Sequence, residues 1–137
     1  MNTNVENLRA GAQLFLGEKG PVTRVQIARF AGATLDFNPV HVDEPFAQTA
    51  GMPSVIAHGP LLAGFLAGLL EEQFGFDVVR KISCRLTAPV FPGDVLRFSA
   101  TVADLDPQEP DLRVLQVKAL KADETQAALA TVHLSCS

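Results

Sequence analysis

Gly59-Pro60-Leu61-Leu62-Ala63-Gly64-Phe65-Leu66-Ala67-Gly68-Leu69-Leu70-Glu71-Glu72-Gln73 is the stretch that decides how this chain must fold. Pro60 suits a helix start, where its missing N–H has no intrahelical partner to lose. Leu61, Leu62, Phe65, Leu66, Leu69 and Leu70 then form one broad apolar face. Ala63, Gly64, Ala67 and Gly68 form the rest, and Glu71 and Glu72 mark the return to solvent. A helix with almost no polar face belongs in a core. The small residues let other backbone approach it closely. The apolar part is too short for a bilayer, which needs about 20 residues.

Downstream of this helix the periodicity changes from helical to alternating. Over residues 78–86, Val78, Ile82, Cys84 and Leu86 fall on one side, and Lys81, Ser83, Arg85 and Thr87 on the other. Pro92-Gly93-Asp94 signals a turn. Leu96, Phe98, Ala100 and Val102 alternate again, and residues 112–120 and 127–134 complete the strands, with Asp123-Glu124 as the turn between them. Residues 106–111 hold two Pro and read as a loop.

Upstream, a first strand covers residues 14–16 and extends towards Val22. Thr23 is placed to cap a helix that exits near Gly32, and a short helix is expected over residues 43–49, with Pro45 in its first turn. One buried helix followed by antiparallel strands implies an α+β fold. The sheet must wrap the helix, because nothing else can cover it. With 137 residues and no repeat or linker, one domain over 1–137 is expected.

A net charge of −4 gives no electrostatic case for nucleic acid or an anionic membrane as partner. Residues 1–7 lack a basic segment followed by an apolar one, so no signal peptide is expected. Cys84 and Cys136 are the only cysteines and form no CxxC, which leaves a cysteine metal site unsupported and favours reduced thiols in a cytoplasmic protein.

The segment with chemical content is Phe30-Ala31-Gly32-Ala33-Thr34-Leu35-Asp36-Phe37-Asn38-Pro39-Val40-His41. Pro39 disfavours helix at Asn38, so the chain bends there. That bend can bring the Asp36 carboxylate and the His41 imidazole to opposite sides of one small site. Together they can grip a water, one removing a proton while the other supplies one. Asp-x-Asn-Pro is also good turn chemistry, and a lone His41 would read as an ordinary loop histidine. The second piece is Ala57-His58-Gly59-Pro60 at the start of the apolar helix. The first N–H groups of a helix lack internal partners and sit at the positive end of its dipole. The Gly59 N–H, with no side chain in the way, can donate to a carbonyl oxygen that gains charge.

Asp36-Phe37-Asn38-Pro39-Val40-His41, followed by Ala57-His58-Gly59 and the apolar helix, resembles the MaoC-like (R)-specific enoyl-CoA hydratases. The likeness covers most of the chain in layout, from Val22 to the last strand. It implies a hot-dog fold, a homodimer, and water addition to trans-2-enoyl thioesters of coenzyme A or acyl carrier protein. It implies Asp36 and His41 as the catalytic pair, Gly59 N–H on the thioester carbonyl, and Asn38 as a brace. Ala67 stands where some members carry Ser, and Pro60 where Met often follows His-Gly. His58 is expected to anchor its loop by hydrogen bonds. Arg80, Lys81 and Arg85 either meet coenzyme A phosphates or form a solvated strand face. The chemistry needs no metal and no redox cofactor. Two other readings are a hot-dog acyl thioesterase, and a subunit of a heteromeric dehydratase or acyl-thioester binding module.

Overall fold

The structure is a computed structural model that describes residues 3–136. Met1, Asn2 and Ser137, the ends of the expected 1–137 domain, lie outside the described residues. Five strands form one antiparallel sheet: β1 (Gln13–Lys19), β2 (Val79–Leu86), β3 (Leu96–Val102), β4 (Leu112–Leu120) and β5 (Gln126–Ser135). Their lateral order is β1-β3-β4-β5-β2. Four helices precede β2: α1 (Arg24–Thr34), α2 (Pro39–Val42), α3 (Glu44–Thr49) and α4 (Gly59–Phe74).

The apolar stretch is α4, and it packs against both edge strands, β1 and β2, so the sheet curls around it. Leu62, Leu66, Leu70 and Phe74 repeat every four residues and are buried, together with Leu69. They meet inward-facing Leu96, Phe98, Leu115, Val117, Val132 and Leu134 in one core. The opposite side of α4 is more open, with Ala67 and Gly68 only half-buried and Gly64 exposed. The expected wrapping therefore holds for one face of the helix. No helix among the described residues is long and apolar enough to cross a membrane.

β4 has the expected bounds, and β3 and β5 match to within a residue. β1 starts one residue before the expected Leu14 and runs past Leu16, ending at Lys19 short of Val22. A bulge between Phe15 and Gly17 breaks the alternation that would have marked its end. Gly17 has φ 145°, and a Cβ there would lie 2.5 Å from Leu69 Cδ2, so the bulge is where the edge strand closes on α4.

Thr23 caps α1 as expected, accepting from Gln26 N–H while the Gln26 side chain accepts from Thr23 N–H. The helix passes the expected exit at Gly32 and ends after Thr34, with Leu35 left-handed at φ 62°. The expected bend at Asn38-Pro39 is also the start of α2. Asn38 Oδ1 accepts from Val40 N–H at 3.2 Å, and Pro39 takes the first helical position. Pro39, which keeps Asn38 out of the helical region, is thus the first residue of a new helix, and this places His41 on a helical turn.

Candidate active site

The candidate groups come from three short segments held together by main-chain hydrogen bonds. Ile56 N–H donates to Val40 O at 3.0 Å, clamping α2 to the segment before α4. Ala57 N–H donates to Val90 O at 2.8 Å, tying that segment to the turn before β3. The turn is itself pinned by Asp94, whose Oδ2 accepts from Phe91 N–H at 2.8 Å and pairs with Lys121 at 2.9 Å.

Within this frame His41 Nδ1–H donates to Ile56 O at 2.7 Å. A carbonyl can only accept, so this bond assigns the proton to Nδ1 and leaves Nε2 for chemistry. Nε2 faces Asp36 Oδ2 at 4.0 Å. That gap is too long for a direct hydrogen bond and suits one intervening oxygen. The His41 side chain is 11% exposed and that of Asp36 is 51% exposed. The pair therefore has a sealed imidazole side and an open carboxylate side. Asp36 Oδ1 accepts from Asn38 N–H at 3.3 Å, so Asn38 braces the turn through its backbone and, by capping α2, through its amide.

His58 is buried at 1% exposure. Its Nε2–H donates to the Asp36 main-chain carbonyl at 3.1 Å, and its ring stacks on His41 at 3.7 Å with an interplanar angle of 22°. The bond ties the loop to the residue before α4, and the ring stacks directly on the catalytic candidate as well. Although His58 is the N-cap of α4, its side chain makes no cap bond, and Gly59 N–H makes no main-chain hydrogen bond among the described residues. A Cβ at Gly59 would meet Leu86 Cγ at an ordinary 3.5 Å, and the residue's φ is not positive. Packing therefore does not require glycine there, and what its absence of side chain leaves is access to the N–H.

Donor atoms of Asp36, His41 and His58 all lie within 4.8 Å of one another. His41 Nδ1 and His58 Nε2 are each committed to a main-chain carbonyl, so His41 Nε2, His58 Nδ1 and the Asp36 carboxylate are the donors that remain.

Of the three expected phosphate contacts, Lys81 and Arg85 stand on the outward face of β2. Ile82, Cys84 and Leu86, between them, face the core, and Leu86 is the residue beside Gly59. Arg85 shares a lateral row with Leu129 and Lys118, and Ser83 shares the next with Thr131 and Gln116. These six line a surface groove of about 410 Å³. Arg80 turns its guanidinium to Asp77 O instead. The structure thus brings together Asp36, Asn38, His41, His58 and Gly59, and it leaves the three basic residues outside that cluster. Sequence reading missed the Ile56 carbonyl, because a main-chain partner carries no residue-type signal.

A curled antiparallel sheet around one apolar helix is a hot-dog fold, and the Asp36–His41 cluster near the start of that helix is its candidate site. The chain matches the MaoC like domain family over residues 9–125 and belongs to it. It is 35% identical over 107 residues to an (R)-specific enoyl-CoA hydratase of Rhodospirillum rubrum, covering 76% of this chain and 72% of that protein. It is 33% identical over 105 residues to an (R)-specific enoyl-CoA hydratase of Aeromonas caviae, covering 71% and 77%. Among solved structures, the (R)-hydratase from A. caviae involved in PHA biosynthesis superposes with a TM-score of 0.80. That match has 27% identity and covers 94% of this chain and 97% of the other.

Proposed function

We propose that this chain is a hydro-lyase that adds water to trans-2-enoyl thioesters, and dehydrates (R)-3-hydroxyacyl thioesters in reverse. The observation that carries the reading is the 4.0 Å gap between Asp36 Oδ2 and His41 Nε2, beside an unpartnered helix-start N–H at Gly59. Hydration needs three things at once: an activated water at C3, a proton for C2, and a donor for the enolate-like thioester oxygen. One member of the pair takes a proton from water as its oxygen bonds to C3. The π electrons move to C2 and the thioester oxygen, which the Gly59 N–H stabilises. The other member enters the step protonated and delivers that proton to C2, and the proton taken from water then passes across the pair to restore the starting state. In dehydration the same protons travel back. No step calls on a metal or a redox cofactor.

The thioester carrier is coenzyme A or acyl carrier protein, and Lys81 and Arg85 are the residues we assign to coenzyme A phosphates. Neither makes an ion pair among the described residues. We further read the working unit as one 1–137 domain in a cytoplasmic homodimer, since the curled sheet leaves edge strands β1 and β2 to be covered.

The test is a spectrophotometric assay with crotonyl-CoA and longer trans-2-enoyl-CoAs, paired with a free-thiol assay and chiral analysis of the product. Loss of the conjugated enoyl absorbance without thiol release, giving the (R)-3-hydroxyacyl thioester, is expected. Thiol release as the main event would make the protein a thioesterase and end the proposal.

A further inference from the structure

His58 serves neither proton transfer in the scheme above nor the cap of α4, yet it touches both members of the acid–base pair. Its Nε2–H holds the Asp36 carbonyl at 3.1 Å, and its ring lies on that of His41 at 3.7 Å. The Phe30 ring packs against it, with centroids 4.9 Å apart. Its other nitrogen, Nδ1, is sealed from solvent with no hydrogen-bond partner. A buried polar atom without a partner is a net cost to folding. A leucine or phenylalanine would fill the space without that cost. The imidazole therefore stands there for its N–H and its flat ring.

A second observation shows why Asp36 needs an outside hold. Leu35, immediately before it, sits in the left-handed region at φ 62°, ψ 22°, with its side chain 77% exposed. A leucine in this conformation is strained and persists only when its surroundings fix it. The turn is what swings Asp36 back over the start of α4. Besides the His58 bond, the hydrogen bonds that the Asp36 main chain and carboxylate make are local. Its N–H donates to Thr34 Oγ1 at 3.4 Å, and Oδ1 accepts from Asn38 N–H at 3.3 Å. His58, twenty-two residues away in sequence, supplies the long-range tie.

We propose that His58 is a positioning residue for the hydration reaction, fixing the Asp36 backbone and the His41 ring plane as one unit and so setting the gap between them. The proposal rests on Asp36 and His41 being the acid–base pair. It acts through them and needs no proton on His58 Nδ1. Misplacing a reacting group by about 1 Å can cost up to roughly 10²-fold in rate, so the effect is read in kcat more than in KM.

Two substitutions separate the two holds. His58→Phe keeps a ring for His41 to stack on and removes the donor to Asp36. His58→Gln keeps a donor and removes the ring. With crotonyl-CoA, His58→Phe is expected to lower kcat about 10- to 100-fold with KM within about threefold. Nitrogen-15 NMR should still show one Nδ1–H tautomer for its His41. His58→Gln is expected to lose that single-tautomer pattern, because His41 can then tilt away from Ile56 O. If either variant fails to fold, Phe30→Leu loosens the same ring from its other contact and should shift the His41 signals in the same direction. Folded variants with kcat within about twofold of the parent and an unchanged His41 spectrum would overturn the proposal. So would a rate loss that disappears once the assay is moved well below the variant's melting midpoint. The NMR signal does not depend on turnover. An inactive parent enzyme would therefore refute the hydratase reading, while the His41 spectrum would still decide the role of His58.

Discussion

The inward face of α4 and the segment over residues 35–41 are neighbours assembled by opposite rules. On the helix face, Leu62, Leu66, Leu69 and Leu70 are at most 4% exposed and hold their places by excluding water. In the loop, Leu35 and Phe37 are 77% and 56% exposed. There the ordering comes from hydrogen bonds to main-chain carbonyls: His41 on Ile56 and His58 on Asp36. The first kind of region tolerates any side chain of the right size and greasiness, whereas the second depends on individual donors and distances. The division predicts that changes in the loop alter rate with little change in stability, and changes in the helix the reverse.

The largest expected effect is in the loop. Asp36→Asn and His41→Gln should each lower kcat by about 10²–10⁴-fold, because general acid–base groups contribute on that order. In the proposed mechanism both act on one water, so the double variant should fall no further than the worse single one. Thermal melts should be nearly unchanged for Asp36→Asn, whose side chain is half in solvent. A collapse of the melt would erase the contrast between the regions. Next comes Leu66→Ala in the core, where a fully buried leucine is cut back. Denaturant titration should show a loss of about 2–5 kcal/mol, with kcat at a permissive temperature close to the parent value.

Gly59→Ala sharpens the comparison at the boundary, since this residue belongs to both regions. The added methyl meets only Leu86 at van der Waals distance, so the melt should hold or rise slightly. Crowding the N–H should still cost roughly tenfold in kcat/KM, less than deleting an oxyanion donor outright. The smallest effect is expected from Arg85→Gln on the outward face of β2. KM for coenzyme A thioesters should rise about two- to fivefold, the increase shrinking at high salt, with kcat and melting unchanged. An Arg85→Gln enzyme with unaltered KM would return that face to solvated surface.

The same contrast explains what could be read from the sequence. Residue type reports burial directly, so α4, β3, β4 and β5 were legible from spacing alone, and Thr23 from its capping chemistry. The end of β1 between Leu16 and Val22 was left loose because a bulge at Gly17 takes the alternation out of phase, and sequence does not show which glycine carries a bulge. The turn of α2 was hidden because Pro39 signals both the end of one helix and the start of another. In the site, Asp36, His41 and Gly59 were visible through a motif and a helix start. The stacking of His58 on His41 depends on how three separate segments dock, and no periodicity encodes that. Lys81 and Arg85 were correctly assigned to the outward side of a strand, while alternation is blind to the turn of Arg80 towards Asp77.

The strand order also has a kinetic meaning. β1 and β2 are consecutive in the chain but occupy opposite edges of the sheet, and every candidate catalytic group lies on the strap between them. β3, β4 and β5 are joined by short connections and pair with their neighbours in sequence. β1, in contrast, must find a partner on the far side of the chain, with Gln13 opposite Thr101. Local pairings form fastest and distant ones last. A refolding molecule should therefore complete its three central strands first and gain its edges later. The strap docks only when both edges are in place, so recovered activity would report the end of folding, and its loss the first fraying of the sheet.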